Sequence, residues 1–515
     1  MSEMLYPVGI QNFEKLREGG FVYVDKTRHI YDLAHNGHYY FLGRPRRFGK
    51  SLLISTMEAY FLGKRKLFEG LALERLEKEW AAHPVLHLDL NTADYNKDDS
   101  LETVLNNALC VWEKEYGTMS SEASLPLRFS GIIERAAKKT GRKTVILVDE
   151  YDKPLLQTFG DERLQDSHRA MLKAFYSVLK TQDQYIRFAF LTGVTKFGKV
   201  SVFSDLNNLK DISMMERYID ICGITEPEIH RYFETALHET AAANGMTYEQ
   251  ACARLKDQYD GYRFEVNTPG IYNPFSLLNA LQERKFKNYW FETGTPTFLV
   301  ELLKRHGYRL ENLTKERLAS DALNSMEPPS GNPVPMIYQS GYLTIKGYME
   351  QFGKYLLGFP NKEVEQGFIN FLLPAYVPVR NTTEFDISYF VEDVQTGDAE
   401  GFMERLQAFF ADVDYKIIGD AEKYFHNAMY LIFKMMGFYT EAEYNTSHGS
   451  IDILVKTDDY VYIIECKLDR SAAEALEQIE RKQYAAPFAA DGRKLYKIGI
   501  SFSSRIRGIS EYIIQ

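Results

Sequence analysis

Residues 43–51, GRPRRFGKS, constrain the fold of this chain more than any other stretch. They separate a short apolar run, HYYFLG (38–43), from a helix-length amphipathic segment, KSLLISTMEAYFLG (50–63). A strand that feeds a loop, followed at once by a helix, turns free backbone N–H groups and the positive end of a helix dipole toward phosphate. The usual phosphate-binding loop reads G-x-x-x-x-G-K-[ST]. Gly49, Lys50 and Ser51 fit its end, whereas Arg44 takes the place of its first glycine. Gly43 lies one position early, and Pro45 stiffens the loop. In this reading Lys50 reaches the β- and γ-phosphates of ATP, and the Ser51 hydroxyl holds Mg²⁺.

A second element strengthens the first. TVILVDEYDKPL (144–155) is a β-branched apolar run that ends in Asp149-Glu150. Asp149 at the strand end is placed to hold Mg²⁺, and Glu150 to orient and deprotonate an attacking water. The alternative is a buried strand that merely finishes in acids. VLHLDL (85–90) lies between the two motifs and supplies an extra strand. With RFAFLTG (187–193) and YIDICGIT (218–225), the apolar runs alternate with helix-length segments. That alternation predicts a parallel sheet covered on both faces. Thr192 and Thr195, at the tip of FAFLTGVTK, are candidates to sense the γ-phosphate, against ordinary turn chemistry. Arg263 in YDGYRF is a candidate second sensor, against a structural ion pair.

The string RPRRFGKS resembles the AAA-ATPase-like family of bacterial proteins. The resemblance extends to FVYVDKT (21–27), ILVDEYDKPL (146–155), LTGVTKFGKVSVFSDLNNLKDIS (191–213), YDGYRF (259–264) and YNPFSLLNAL (272–281), over about residues 4–300. It implies that the arginine-rich loop is a family trait. Whether Arg44, Arg46 and Arg47 meet phosphate, a neighbouring subunit, nucleic acid or only solvent is left open at this stage.

A second constellation lies near the end. In HGSIDILVKTDDYVYIIECKL (448–468), two strand-like runs, 450–456 and 460–467, flank Thr457-Asp458-Asp459. A two-residue hairpin loop at Asp458 and Asp459 pairs 457 with 460. Asp452 then faces Glu465, and Lys467 shares their face of the sheet while Cys466 points away. Two carboxylates this close repel unless a cation lies between them. Oxygen donors suit Mg²⁺ or Mn²⁺. This pattern resembles the PD-(D/E)XK nuclease superfamily, with Asp452 as its Asp and Glu465-Cys466-Lys467 as its E-x-K. The resemblance covers about residues 415–515 and implies roles for further residues. Glu422, at the start of EKYFHNAMYLIFKMMG, is a candidate helix acid for the metal. Gln478 with Lys482 and Tyr484, in EQIERKQY, is similar to a glutamine–tyrosine motif, with a longer spacing to Tyr484. Ser450 stands where relatives can carry a basic residue.

Length and composition bound the rest. A chain of 515 residues is too long for one core. Its 45% hydrophobic and 26% charged residues describe an ordinary globular protein, and its net charge of −10 gives no global nucleic-acid footprint. No apolar run spans a bilayer and no signal-peptide pattern opens the chain, so a cytoplasmic protein without membrane contact is expected. The 4 cysteines are scattered, as reduced thiols.

The expected fold class is α/β: a P-loop NTPase parallel sheet with a helical lid and winged-helix-like region, then a restriction-endonuclease-like α/β domain. The expected bounds are 1–225 for the ATPase core, 226–360 for the lid and wing, 361–414 for a helical connector and 415–515 for the nuclease-like domain. The expected function is ATP binding and hydrolysis that gates a metal-dependent nuclease, with DNA favoured over RNA as partner. Two alternatives stand beside it: an ATP-driven switch whose last domain binds nucleic acid or a protein without cutting, and an ATPase that assembles into a homo-oligomer.

Overall fold

The computed structural model describes residues 5–515 apart from 197–201, 204–207, 292–296, 324–330, 377–385, 412–420, 438, 448–449 and 507. At 297, 421–422, 444–447 and 450–452 it describes the backbone alone. Contacts divide the chain into two units, one of residues 1–302 with 314–364, the other of 303–313 with 365–515.

The first unit is built on strands β1 (Tyr39–Gly43), β2 (Val85–Asp89), β3 (Thr144–Asp149), β4 (Ile186–Gly193) and β5 (Lys210–Asp211). They lie in the order β2-β3-β4-β1-β5, and all neighbours run parallel. β4 is therefore inserted between β1, which carries the phosphate-loop sequence, and β3, which carries Asp149. Every residue of β3 is buried. That is why its sequence is a continuous apolar run and not an alternating one. The fifth strand differs from the expected one. Residues 218–225 form no strand beyond an isolated bridge from Ile224 to Tyr272. Their apolar side chains, Ile221 and Cys222 among them, are buried in a turn-rich segment. Part of the segment's backbone is used elsewhere, because the carbonyls of Tyr218 and Ile219 accept hydrogen bonds from a side chain.

Helices Glu226–Ala243, Tyr248–Tyr259 and Pro274–Glu283 pack around Phe233, Leu237, Leu255, Tyr259, Leu277 and Leu281. Each has a side-chain cap or proline start that fixes its first turn: capping boxes at Thr225 and Thr247, and Asn273 before Pro274. A three-stranded antiparallel sheet follows, of β6 (Arg317–Ala319), β7 (Thr344–Met349) and β8 (Lys354–Gly358), in the order β6-β8-β7. Helix Val334–Gln339 lies between β6 and β7.

The second unit holds a sheet of β9 (Glu441–Ser447), β10 (Ser450–Lys456), β11 (Tyr460–Leu468), β12 (Lys494–Ser503) and β13 (Gly508–Ile514). The order is β13-β12-β11-β10-β9, parallel only between β11 and β12. Helix Ala421–Met436 precedes it, and helix Ala472–Arg481 makes the crossover from β11 to β12. The architecture is α/β in both units. Among the described residues no helix is long and apolar enough to cross a membrane.

Candidate functional sites

The loop between β1 and helix Lys50–Phe61 is shaped by two left-handed residues, Arg47 at φ 67° and Gly49 at φ 91°. Gly49 adopts that geometry without a Cβ penalty and starts the helix. Lys50 is buried, and its ammonium is held by three oxygens: Arg44 O at 3.1 Å, Pro45 O at 3.2 Å and Glu150 Oε1 at 3.1 Å. Glu150 itself sits at φ 54°, a left-handed conformation uncommon for a residue with a side chain.

The exits of β3 and β4 are bonded into one piece. Thr192 Oγ1 donates to Asp149 Oδ1 at 2.5 Å, and the Glu150 N–H donates to Thr192 Oγ1 at 3.3 Å. Thr192 is fully buried, and it orients the strand-end acid. Asp152, also buried, accepts from Val194 N at 3.2 Å and from Thr195 N and Oγ1 at 2.7 and 2.8 Å. Burial, then the neighbouring Glu150, pushes the Asp152 carboxyl up to about 6, against those hydrogen bonds from Thr195 and Val194. Asp152 was visible in the DEYD string, but nothing local in the sequence pointed to its partners.

Lys50, Ser51 and Glu150 line a cleft of about 820 Å³. That is ample for a small-molecule ligand. Pro7, Val8 and Ile10 and the helix residues Phe275 and Leu278 are part of its apolar lining. Sequence reasoning had missed these wall residues. Arg46 and Arg47 also line the cleft, and the Arg47 guanidinium lies 4.8 Å from the Phe275 ring. Arg263 lines a separate cavity of about 40 Å³ with Arg44 and Tyr338.

Arg44 is neither a solvated loop residue nor a cleft-lining one. It is 1% exposed and donates to Gly43 O, Ser213 O, Tyr218 O and Ile219 O at 2.6–3.3 Å. Its guanidinium lies 3.9 Å from the centroid of the Phe264 ring. Burial lowers its pKa to about 10, so the group stays charged at neutral pH. Arg44 ties the phosphate loop to residues 213–219 and to the segment that carries Phe264. Restoring the usual glycine, Arg44→Gly, is expected to destabilise the first unit by roughly 3 kcal/mol or more, since each buried acceptor left without a donor costs about 1 kcal/mol or more. Thermal unfolding should show the loss, and Arg44→Lys should recover only part of it, because an ammonium cannot fork across the same carbonyls.

In the second unit the hairpin pairs Asp452 with Glu465, Ile451 with Cys466 and Ser450 with Lys467. This is the register expected from a loop at Asp458 and Asp459. Paired positions share a face of the sheet. Glu465 is 0% exposed and Lys467 8%. Lys467 Nζ donates to Glu465 Oε1 at 2.7 Å and to Gln478 Oε1 at 2.6 Å. Gln478 belongs to helix Ala472–Arg481, which lies close on this face. The closeness depends on Gly499, which pairs with Glu465 across β12: an added Cβ would stand 2.3 Å from Ala472 O. Tyr484 lies past the helix end and packs against the apolar cluster of Ile463, Leu476 and Ile479. The side chains of Asp452 and Glu422 lie outside the described residues. Among the described residues no group of three or more His, Cys, Asp or Glu forms a metal cluster.

Two stretches of the chain match known families. The model of the predicted AAA-ATPases matches residues 7–203, and that of the PD-(D/E)XK nuclease superfamily matches residues 420–512. A relative from Azotobacter chroococcum mcd 1, an uncharacterized protein in the vnfD 5′ region, is 35% identical over 528 residues, covering 100% of this chain and 99% of that protein. The chain belongs to the predicted AAA-ATPase family, with a PD-(D/E)XK nuclease superfamily domain at its C-terminal end. As a member of that family it carries an ATPase-like module around Lys50 and Glu150, and a nuclease-like domain around Glu465 and Lys467.

Proposed function

We propose that the chain binds and hydrolyses ATP in the first unit and that this cycle gates a metal-dependent nuclease in the second, with DNA as the substrate. The observation that carries the reading is the Lys50–Glu150 pair inside the cleft. The ammonium that would bind the β- and γ-phosphates rests on the carboxylate that would deprotonate water. Incoming triphosphate, as the stronger anion, draws Lys50 away, and Glu150 is released to take a proton. Thr192 keeps Asp149 aimed from the strand end during this exchange.

The donor sets fit a divalent cation. Ser51 and Asp149 in the first unit, and Asp452, Glu465 and Glu422 in the second, are hard oxygen donors of the kind Mg²⁺ and Mn²⁺ prefer. Such an ion, when bound, supplies Lewis-acid polarisation of a phosphate oxygen and of the attacking water. The chain's own part in the nuclease is the placement of charge. Lys467, fixed by Gln478, puts a positive group beside Glu465, where it can neutralise charge on a phosphodiester. The test is cleavage of DNA by purified protein with Mg²⁺ or Mn²⁺. The wild type is expected to cut and Asp452→Ala to leave the DNA intact. Equal cutting by both would remove the site assignment.

A further inference from the structure

We propose that Lys153 is a catalytic cation that the chain supplies to its own nucleotide site, placed to neutralise charge on the γ-phosphate as it is transferred to water. This rests on the ATP reading above and deepens it. Lys153 lines the same cleft as Lys50 and Glu150. Its backbone N–H donates to Glu150 O at 3.1 Å, so the lysine and the catalytic acid are set by one turn of chain. The ammonium is parked on oxygens of a single residue, Asn91: the carbonyl at 3.1 Å and the side-chain Oδ1. Both acceptors are neutral.

Asn91 lies two residues past the end of β2, whose last residue, Asp89, pairs with Asp149. The parked ammonium therefore sits at the same strand edge as the candidate metal-binding acid. Burial lowers the Lys153 pKa, the charge of Glu150 raises it, that of Arg46 lowers it and that of Asp89 raises it. Glu150 and Arg46 line the same cleft as Lys153. A cation held in a half-buried cleft by neutral oxygens can be moved to an anion without first breaking an ion pair.

Hydrolysis has a use for such a charge. The water oxygen bonds to the γ-phosphorus and the bond from that phosphorus to the β–γ bridging oxygen breaks. ADP leaves with that oxygen, and the proton of the water passes to Glu150. Charge spreads over the γ-phosphoryl oxygens during transfer, and many such enzymes meet it with an arginine reaching in from another polypeptide. Lys50 covers one side of the phosphates. Lys153, three residues after Glu150 and lining the same cleft, would supply the charge on the side of the attacking water. Arg46 also reaches the cleft, but its side chain is exposed. Lys153 is held in place by Asn91.

Lys153→Met, Lys153→Arg and Arg46→Met, each in the full chain, test the proposal through ATP turnover, nucleotide affinity and thermal unfolding. Lys153→Met is expected to lower kcat about 100-fold, the scale of one transition-state donor. Its KM for ATP should stay within about threefold of the wild type. ADP with aluminium fluoride should bind it more weakly than the wild type, while ADP alone binds equally. Lys153→Arg should keep at least about a tenth of the wild-type kcat. Lys153→Met turning over ATP at the wild-type rate would overturn the proposal. So would a loss shared equally by kcat, ATP affinity and Tm, which marks a structural lysine, or a loss confined to Arg46→Met. If the wild type binds no ATP, the nucleotide reading itself fails, an outcome distinct from all of these.

Discussion

Glu150→Gln is expected to bind ATP at least as tightly as the wild type and to hydrolyse it about 10²–10⁴-fold more slowly, the range supplied by a general base. Two effects of one residue are separated by this change. The amide cannot take a proton from water, so turnover falls. It also carries no charge, so it competes less with phosphate for Lys50, whose ammonium stands 3.1 Å from the Glu150 carboxylate. Single-turnover hydrolysis and equilibrium binding of a fluorescent ATP analogue check the two parts. A variant that loses affinity and rate together would place Glu150 in substrate binding instead.

Lys467→Ala is expected to act on both stability and cleavage in the second unit. Removing the ammonium leaves the buried Glu465 carboxylate without its closest cation, a change of roughly 3–5 kcal/mol for a buried pair. The loss should be largest in chelator. Mn²⁺ should raise the Tm of Lys467→Ala more than that of the wild type, because the ion replaces the missing charge beside Glu465. Cleavage should fall about 10²–10³-fold and not recover with metal, as the proposed role of Lys467 beside the phosphodiester requires. Thermal unfolding against Mn²⁺ concentration checks the first part and a DNA cleavage time course the second.

What could be read from the sequence depended on how far apart the partners lie. The pairing of Asp452 with Glu465 was legible because a two-residue loop fixes every later pair. Gln478 was legible only through the resemblance of EQIERKQY to a glutamine–tyrosine motif, and its bond to Lys467 needed the fold. Arg44 was not. Its acceptors lie 169–175 residues away at Ser213, Tyr218 and Ile219, and no periodicity signals a side chain that binds remote carbonyls. The run at 218–225 read as a strand because its residues are apolar, whereas the true fifth strand, Lys210–Asp211, is two residues long and polar. Thr192 was a candidate phosphate sensor because it ends a strand, whereas its bond to Asp149 needed the neighbouring strand's position. The apolar lining residues Pro7, Val8 and Ile10 carried no motif at all.

The central claim is that nucleotide in one unit governs chemistry in the other. Its most direct test is DNA cleavage with Mg²⁺ or Mn²⁺ by the wild type and by Lys50→Ala, each with and without ATP. Cleavage that changes with ATP in the wild type, and no longer does so in Lys50→Ala, is the predicted result. Identical cleavage in all four conditions would contradict the account.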